Sequence, residues 1–258
     1  MILSRITRRV LRWPATSPPT SRPMSWAPHP VALYGRILKE LLARPAAPPM
    51  RVMSLASLLA GSRLMDAASL VVRHDVDTLA CVRQAMLLAE VEESLGVRSD
   101  WFVRVDEYHY NCDEARPLVD RLRDAGHGVG LHVAPYLAED PLDSLIRARV
   151  KFADWFGFEP ATWTVHGFAM GDRLRARRRG FEDAIEHSPE LLCQTDLSSR
   201  LYQRACGDAH FALDRSRTYF CRRDLDGLLA AQPGEAVVLL THPCYWGSAG
   251  IAIPPPGP

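Results

Sequence analysis

The sequence predicts an α/β fold, with a parallel sheet wound either as a doubly wound sheet or as a β/α barrel, on three observations. Apolar strand-like runs alternate with helix-period segments from about Ser69 to the end of the chain. The segments joining the strands are long enough for crossover helices, and two of them stop on Gly96 and Gly126. The ends of the strands collect polar residues (Asp75, Asp77, His132, His166, Asp196 and His242), as in barrel enzymes, which build their sites at the C-terminal rim.

Taken in order, "VALYGRILKELLA" (31–43) has helical spacing, and a Pro-rich break separates it from a short helix around "SLASLLA". The alternation then begins with a strand in "SLVVRHDVD", a helix in "LACVRQAMLLAEVEESLG", a strand in "RSDWFVRV", a helix in "ARPLVDRLRDAG" and a strand in "HGVGLHV". It continues through a helix in "DPLDSLIRARVKFADWFG", a strand in "ATWTVHG", a helix near "GFEDAIEH" and a short strand in "LLCQTDLS". A helix in "DLDGLLAA" leads to the last strand, "AVVLLTHP". There is no internal repeat and no GxGxxG or GxxxxGK[ST] phosphate loop.

At 258 residues and 47% hydrophobic content the chain is long enough for one sizeable core. Residues 1–30 are expected to form a tail, 31–250 a single domain and 251–258 a second tail. The acid-free, Arg-rich opening reads as a disordered tail, an organellar transit peptide, or a start placed upstream of Met24. Residues 1–39 hold seven of the 31 basic residues and no acid, which leaves 24 basic against 30 acidic residues in the remainder. That mildly acidic body argues against a nucleic-acid partner. No apolar run approaches the roughly 18 residues of a membrane span. The six scattered cysteines form no CxxC pair and suit a reducing compartment.

Residues two apart in a strand share a face, so Asp75 and Asp77 point together while His74 and Val76 point away. Two like charges this close call for a cation, and a carboxylate with imidazoles suits a divalent ion such as zinc. They could equally cap the following helix or pair with Arg73 or Arg104. In "GHGVGLH", parity sets His132 with Gly128 and Gly130, in space the glycines leave clear, and His127 on the other, structural face. His166 and His242 each end a strand, where a histidine can also simply hold a turn.

These residues resemble the polysaccharide deacetylase superfamily, also called the NodB-homology or carbohydrate esterase family four fold. "RHDVD" is similar to its first motif, in the variant that spaces the aspartates by one residue; "GHGVGLH" is similar to the second and "LLTHP" to the last. The resemblance spans Ser69 to Trp246, with a weaker match to the N-terminal helices of a bacterial subgroup found among surface-glycan biosynthesis genes. It implies a distorted (β/α) barrel of about seven strands with an N-terminal helical extension. It also implies hydrolysis of an N-acetyl or similar acyl group from an amino sugar or glycan precursor, with a divalent metal such as Zn2+ as cofactor.

Carried over residue by residue, the resemblance makes Asp75 the general base, Asp77 and His132 metal ligands and His242 the general acid. Asp196 matches the region where the family orients that histidine with a carboxylate. Two departures stand out: the second motif's further histidine is replaced by Tyr136, and the family's arginine motif by "VHGF". His166 is then the candidate third ligand, with Tyr136 as a weak ligand or a donor to the substrate. Tyr108, Tyr110, Trp163, Tyr245 and Trp246 are candidates to stack on a sugar ring. A cytoplasmic location is expected from the lack of an export signal. Two other readings stay open here: a catalytically silent barrel that binds a glycan or a partner, and a metal amidase acting on a non-sugar amide.

Overall fold

A computed structural model describes residues 29–43, 50–62, 64–106, 109–167, 172–197, 201–208 and 222–247. A two-residue strand β1 (His29–Pro30) runs into helix α1 (Val31–Ala43), followed by β2 (Met50–Val52) and the short α2 (Leu55–Leu59). The repeating part then comprises β3 (Ala68–Val76), α3 (Leu79–Ser94), β4 (Asp100–Val103), α4 (Cys112–Asp124), β5 (Gly128–Val133), α5 (Pro141–Phe156), β6 (Trp163–Val165), α6 (Asp172–Glu186) and α7 (Pro189–Leu192). After β7 (Arg204–Gly207) come α8 (Arg222–Leu229), β8 (Ala236–Thr241) and β9 (Trp246–Gly247). His29 and Pro30, which the sequence assigned to the tail, pair in register with Trp246 and Gly247.

The main sheet runs β6-β5-β4-β3-β8-β7, and every pairing is parallel. Strand β2 pairs with the first half of β3 and β4 with the second, which brings the sheet to seven strands. A parallel bridge from Thr195 to Trp163 carries the curve one step beyond β6. The fold is a distorted (β/α) barrel, and β3 lies at its centre with all nine residues buried, which is why it reads as a nearly unbroken apolar run.

Period-two alternation sorts the residues of β3 into two layers. Leu70, Val72 and Val76 face the helices together with Trp101, Leu131, Trp163 and Leu239. Val71 faces the barrel interior with Phe102, Ala236 and Val238, and Leu55 and Leu58 of α2 close that floor. Asp100, on the interior face of β4, holds the plug by accepting a hydrogen bond from the Leu55 N–H at 2.7 Å. On the helix side, His74 binds Glu92 at 2.7 Å and shares Nδ1 with the Thr241 hydroxyl at 2.5 Å. Glu92 also accepts from the Tyr34 hydroxyl and from Ser99 at 2.6 Å, so a fully buried carboxylate ties α1, α3, β3 and β4 together. His127 lies on this side as well, accepting at Nδ1 from the Ser99 N–H at 3.1 Å.

The β5 glycines do not clear space for His132, as their parity suggested. A Cβ on Gly128 would stand 2.2 Å from Asp100 Oδ1, and one on Gly130 would stand 2.6 Å from both the Phe102 ring and the Thr162 carbonyl. The interior volume beside β5 is thus already taken by Asp100 and Phe102. Gly130→Ala is expected to lower stability by about 1–3 kcal/mol, the usual cost of overpacking, because backbone as well as ring must shift. Denaturant unfolding measures this, and an unchanged midpoint would refute the close packing.

Among the elements expected from the sequence, two differ. The apolar run in "LLCQTDLS" starts as α7, because Ser188 and Pro189 set up a helical first turn, and contributes only the single bridge at Thr195. The helix placed near Gly180 begins at Asp172, in an Arg-rich stretch with little apolar periodicity.

Candidate functional site

Sheet register stacks the interior side chains in layers. Asp75 lies level with Phe102 and Gly130, and two residues further along β5 His132 stands opposite Thr164. In the layer below, Arg73 lies level with Asp100 and Leu240. Charged residues therefore fill the upper barrel and apolar ones the floor.

Arg73 clamps Asp75 with two parallel hydrogen bonds, Nε to Oδ1 at 2.7 Å and Nη2 to Oδ2 at 2.8 Å, and extends Nη1 to Asp196 at 2.5 Å. The guanidinium also lies 5.3 Å from the centre of the Phe102 ring. Burial pushes the Asp75 carboxyl up, but Arg73 more than offsets this, and the group is held below the usual carboxylate range. The pairing of Asp75 with Arg73 that the sequence left open is therefore present. It coexists with an Asp75 Oδ2 that lies 3.7 Å from His132 Nε2. Replacing Arg73 by leucine is expected to cost about 3–5 kcal/mol at pH 7, since two buried carboxylates lose their cation. The loss should shrink at pH 5 as Asp75, without Arg73 to hold its carboxyl down, takes up a proton; in urea unfolding, a pH-independent loss would assign the effect to packing on Phe102 instead.

Asp77, His132 and His166 converge. Asp77 Oδ1 is 3.2 Å from His132 Nε2 and 3.0 Å from His166 Nδ1, and the two ring nitrogens are 3.2 Å apart. Burial pushes the Asp77 carboxyl up, but the surrounding imidazoles hold it well below the usual range. Burial also lowers the pKa of His132, which favours the neutral ring that a metal requires.

The partners of this trio fix its orientation. His132 Nδ1 lies 2.7 Å from the Thr164 hydroxyl, leaving Nε2 aimed inward. The His166 N–H donates to the Val133 carbonyl at 2.7 Å, and the His166 carbonyl accepts from the Tyr136 hydroxyl at 2.7 Å. The three donor atoms fit a divalent ion on two grounds. Asp77 Oδ1 is buried and has no hydrogen-bond partner among the described residues. In addition, sides of 3.0–3.2 Å are close to the edge of about 3.3 Å expected for a tetrahedron with zinc–nitrogen arms of about 2.0 Å.

His242 faces this trio from the end of β8, with Nε2 3.5 Å from Asp77 Oδ2. Its other nitrogen donates to Asp208 Oδ1 at 2.7 Å, while Asp208 Oδ2 accepts from the His242 backbone N–H at 2.6 Å and from Trp246 Nε1 at 2.9 Å. Burial pushes the His242 pKa down, but Asp208, Asp77 and Asp75 outweigh it and raise it to about 10. Asp196 does not orient His242, contrary to the sequence-based assignment. It lies across the barrel on Arg73, and Asp208, directly after β7, does the orienting. The signal for Asp208 was present in "ACGD", a short apolar stretch ending in Asp as β3 does.

The aromatic candidates need correction too. Tyr136 is fully buried with its hydroxyl committed to His166, and Tyr110 is buried, donating to the Val76 carbonyl at 2.7 Å and accepting from the Arg104 N–H at 2.6 Å. Trp246 and Trp163 are also fully buried, and Trp246 supports Asp208. Rings this deeply buried pack the framework, and those of Tyr136, Tyr110 and Trp246 also commit their polar tips to buried partners. Tyr245 remains half-buried, with its ring 5.5 Å from that of His242. Tyr108 lies outside the described residues.

Several solved structures are similar to this chain. One is the catalytic domain of a peptidoglycan N-acetylglucosamine deacetylase from Eubacterium rectale, with a TM-score of 0.46 and 12% identity over 67% of this chain and 76% of that one. A second is IcaB from Ammonifex degensii, with a TM-score of 0.38 and 17% identity over 58% and 72% of the two chains. A third is a CE4 family pseudoenzyme from Bacillus anthracis, with a TM-score of 0.38 and 13% identity over 67% and 54%. No protein-family model matches the sequence, and no curated protein does.

Proposed function

We propose that this chain is a metal-dependent deacetylase of the polysaccharide deacetylase superfamily, removing an N-acetyl or similar acyl group from an amino sugar or glycan precursor. The observation that carries the proposal is the convergence of Asp77, His132 and His166 between a clamped carboxylate, Asp75, and a histidine paired to a carboxylate, His242. In this reading those three residues hold the ion, most simply Zn2+, with His166 taking the place of the histidine that Tyr136 replaces. A divalent ion there supplies a Lewis acid for the acyl carbonyl and lowers the pKa of water.

The chain's own groups do the remaining work. Asp75, kept ionised by Arg73, accepts the proton of the attacking water. His242, kept protonated at neutral pH by Asp208, donates to the departing amine. Because Arg73 occupies the inner side of Asp75, the carboxylate is fixed against the layer where water would give up its proton. Tyr245 offers a part-exposed ring beside the acid for the sugar. Cys81, Cys112, Cys193 and Cys244 are free thiols, which supports a reducing compartment such as the cytoplasm; among the described residues no helix is long and apolar enough to cross a membrane.

The test is elemental analysis of the purified protein together with acetate release from N-acetylglucosamine oligomers. About one zinc or similar ion per chain with acetate release supports the reading. No metal even after zinc is added would overturn it, and metal without acetate release from any acetylated amino sugar would move the substrate to a non-sugar amide.

A further inference from the structure

A pair of cysteines behind the site is used by nothing described so far. Cys81 lies in the first turn of α3, four residues after Asp77, and is fully buried; Cys244 lies two residues after His242, in the 3-10 turn Pro243–Tyr245, with 7% exposure. Helix α3 packs closely on that turn and brings the two thiols into interaction, and Thr78, which caps α3, reaches the Cys81 sulfur at 3.6 Å. We propose that Cys81 and Cys244 are a reversible modification site, a dithiol that peroxide closes to a disulfide linking the segment after Asp77 to the turn after His242.

The geometry carries the step. One thiolate attacks a peroxide oxygen, the O–O bond breaks, and a sulfenic acid forms as the first water leaves. The second thiol attacks that sulfur, the S–O bond breaks, the S–S bond forms, and its proton leaves in a second water. Two thiols are oxidised while one hydrogen peroxide is reduced to two waters. Burial pushes the Cys81 thiol up, but Cys244, His242 and Thr78 outweigh it and bring it down to about 7, which favours Cys81 as the attacking sulfur. The neighbouring sulfurs close the bridge by approaching to the bond length of about 2.05 Å.

That approach draws the start of α3 toward the His242 turn. Asp77 directly precedes the cap of α3, and metal ligands tolerate displacements of only about 0.2 Å, so the closed form should hold a metal less well. This second consequence rests on the metal site proposed above; disulfide formation does not.

The experiment treats the full chain with hydrogen peroxide, blocks remaining thiols under denaturing conditions without reductant, and maps the peptides by mass. The expected result is one linked peptide pair containing Cys81 and Cys244, reversed by dithiothreitol and absent in Cys81→Ala and in Cys244→Ser. Both thiols remaining open to blocking, separate sulfinic acids on each, or linkage only through exposed Cys193 would overturn the proposal. Zinc titration of oxidised and reduced protein side by side is expected to show a tenfold or greater loss of affinity on oxidation; equal affinities overturn the coupling. Absence of zinc binding in the reduced protein counts against the metal site and leaves the disulfide result intact.

Discussion

Replacing His166 by alanine is expected to lower zinc affinity by about a hundredfold or more, since removing even a partner behind a metal ligand typically costs about 10–100-fold. The side chain is 18% exposed and stands at the rim, and the variant's urea midpoint read beside its affinity separates ligand loss from unfolding. Asp77→Ala removes the one carboxylate of the trio and should weaken binding further. Thr164→Val, which leaves every donor atom in place and takes away only the partner of His132 Nδ1, should cost less than either. Competition against a chromophoric chelator ranks the three variants. Wild-type affinity in His166→Ala would show that the third ligand is supplied elsewhere.

The second large effect is expected from Asp208→Asn, which keeps one acceptor oxygen, sets an amide nitrogen against the donors on its other side, and loses the charge. The His242 pKa of about 10 lies above the ordinary value of 6.5, so the folded state binds the proton more tightly than the unfolded chain. The stability from this pairing is therefore complete below about pH 6.5 and is lost as pH rises through 10. The variant should be destabilised by about 3–5 kcal/mol at pH 6 and progressively less toward pH 10. If His242 is the acid, hydrolysis should fall by about 10²–10⁴-fold, the usual share of general acid–base catalysis, and the alkaline limb of the rate profile should move to lower pH. Urea unfolding from pH 6 to 10 and a pH-rate profile read the two effects. A destabilisation independent of pH would show that the charge of Asp208 does not act on His242.

Much of this site was legible because β3, β5 and β8 are long, apolar and end in polar residues that have no reason to be there structurally. Parity then sorted Asp75 and Asp77 from His74, and the three lie on the faces expected of them. Asp208 was missed because β7 has four residues, lies at the sheet's edge and shows no alternation, so no strand existed in the reading for it to terminate. Asp196 took that role instead, from its match to the region where the resembled family orients the histidine. The buried aromatics were misassigned for a different reason: sequence can place Tyr110, Tyr136 and Trp246 near the rim but carries no sign of which side of the rim a ring faces. Only their hydroxyl and indole partners reveal that they hold Arg104, His166 and Asp208 in place.

The pairing of β1 with β9 has a consequence for synthesis. His29 and Trp246 are roughly 200 residues apart in the chain, yet they lie in register, and their rings meet edge to face at 4.9 Å directly behind Asp208. On the ribosome the histidine emerges early and must wait for the tryptophan, so the support beneath the proton donor cannot assemble until translation of this region is nearly finished. A nascent chain thus passes through a period in which Asp77, His132 and His166 have all been synthesised and the acid's brace has not.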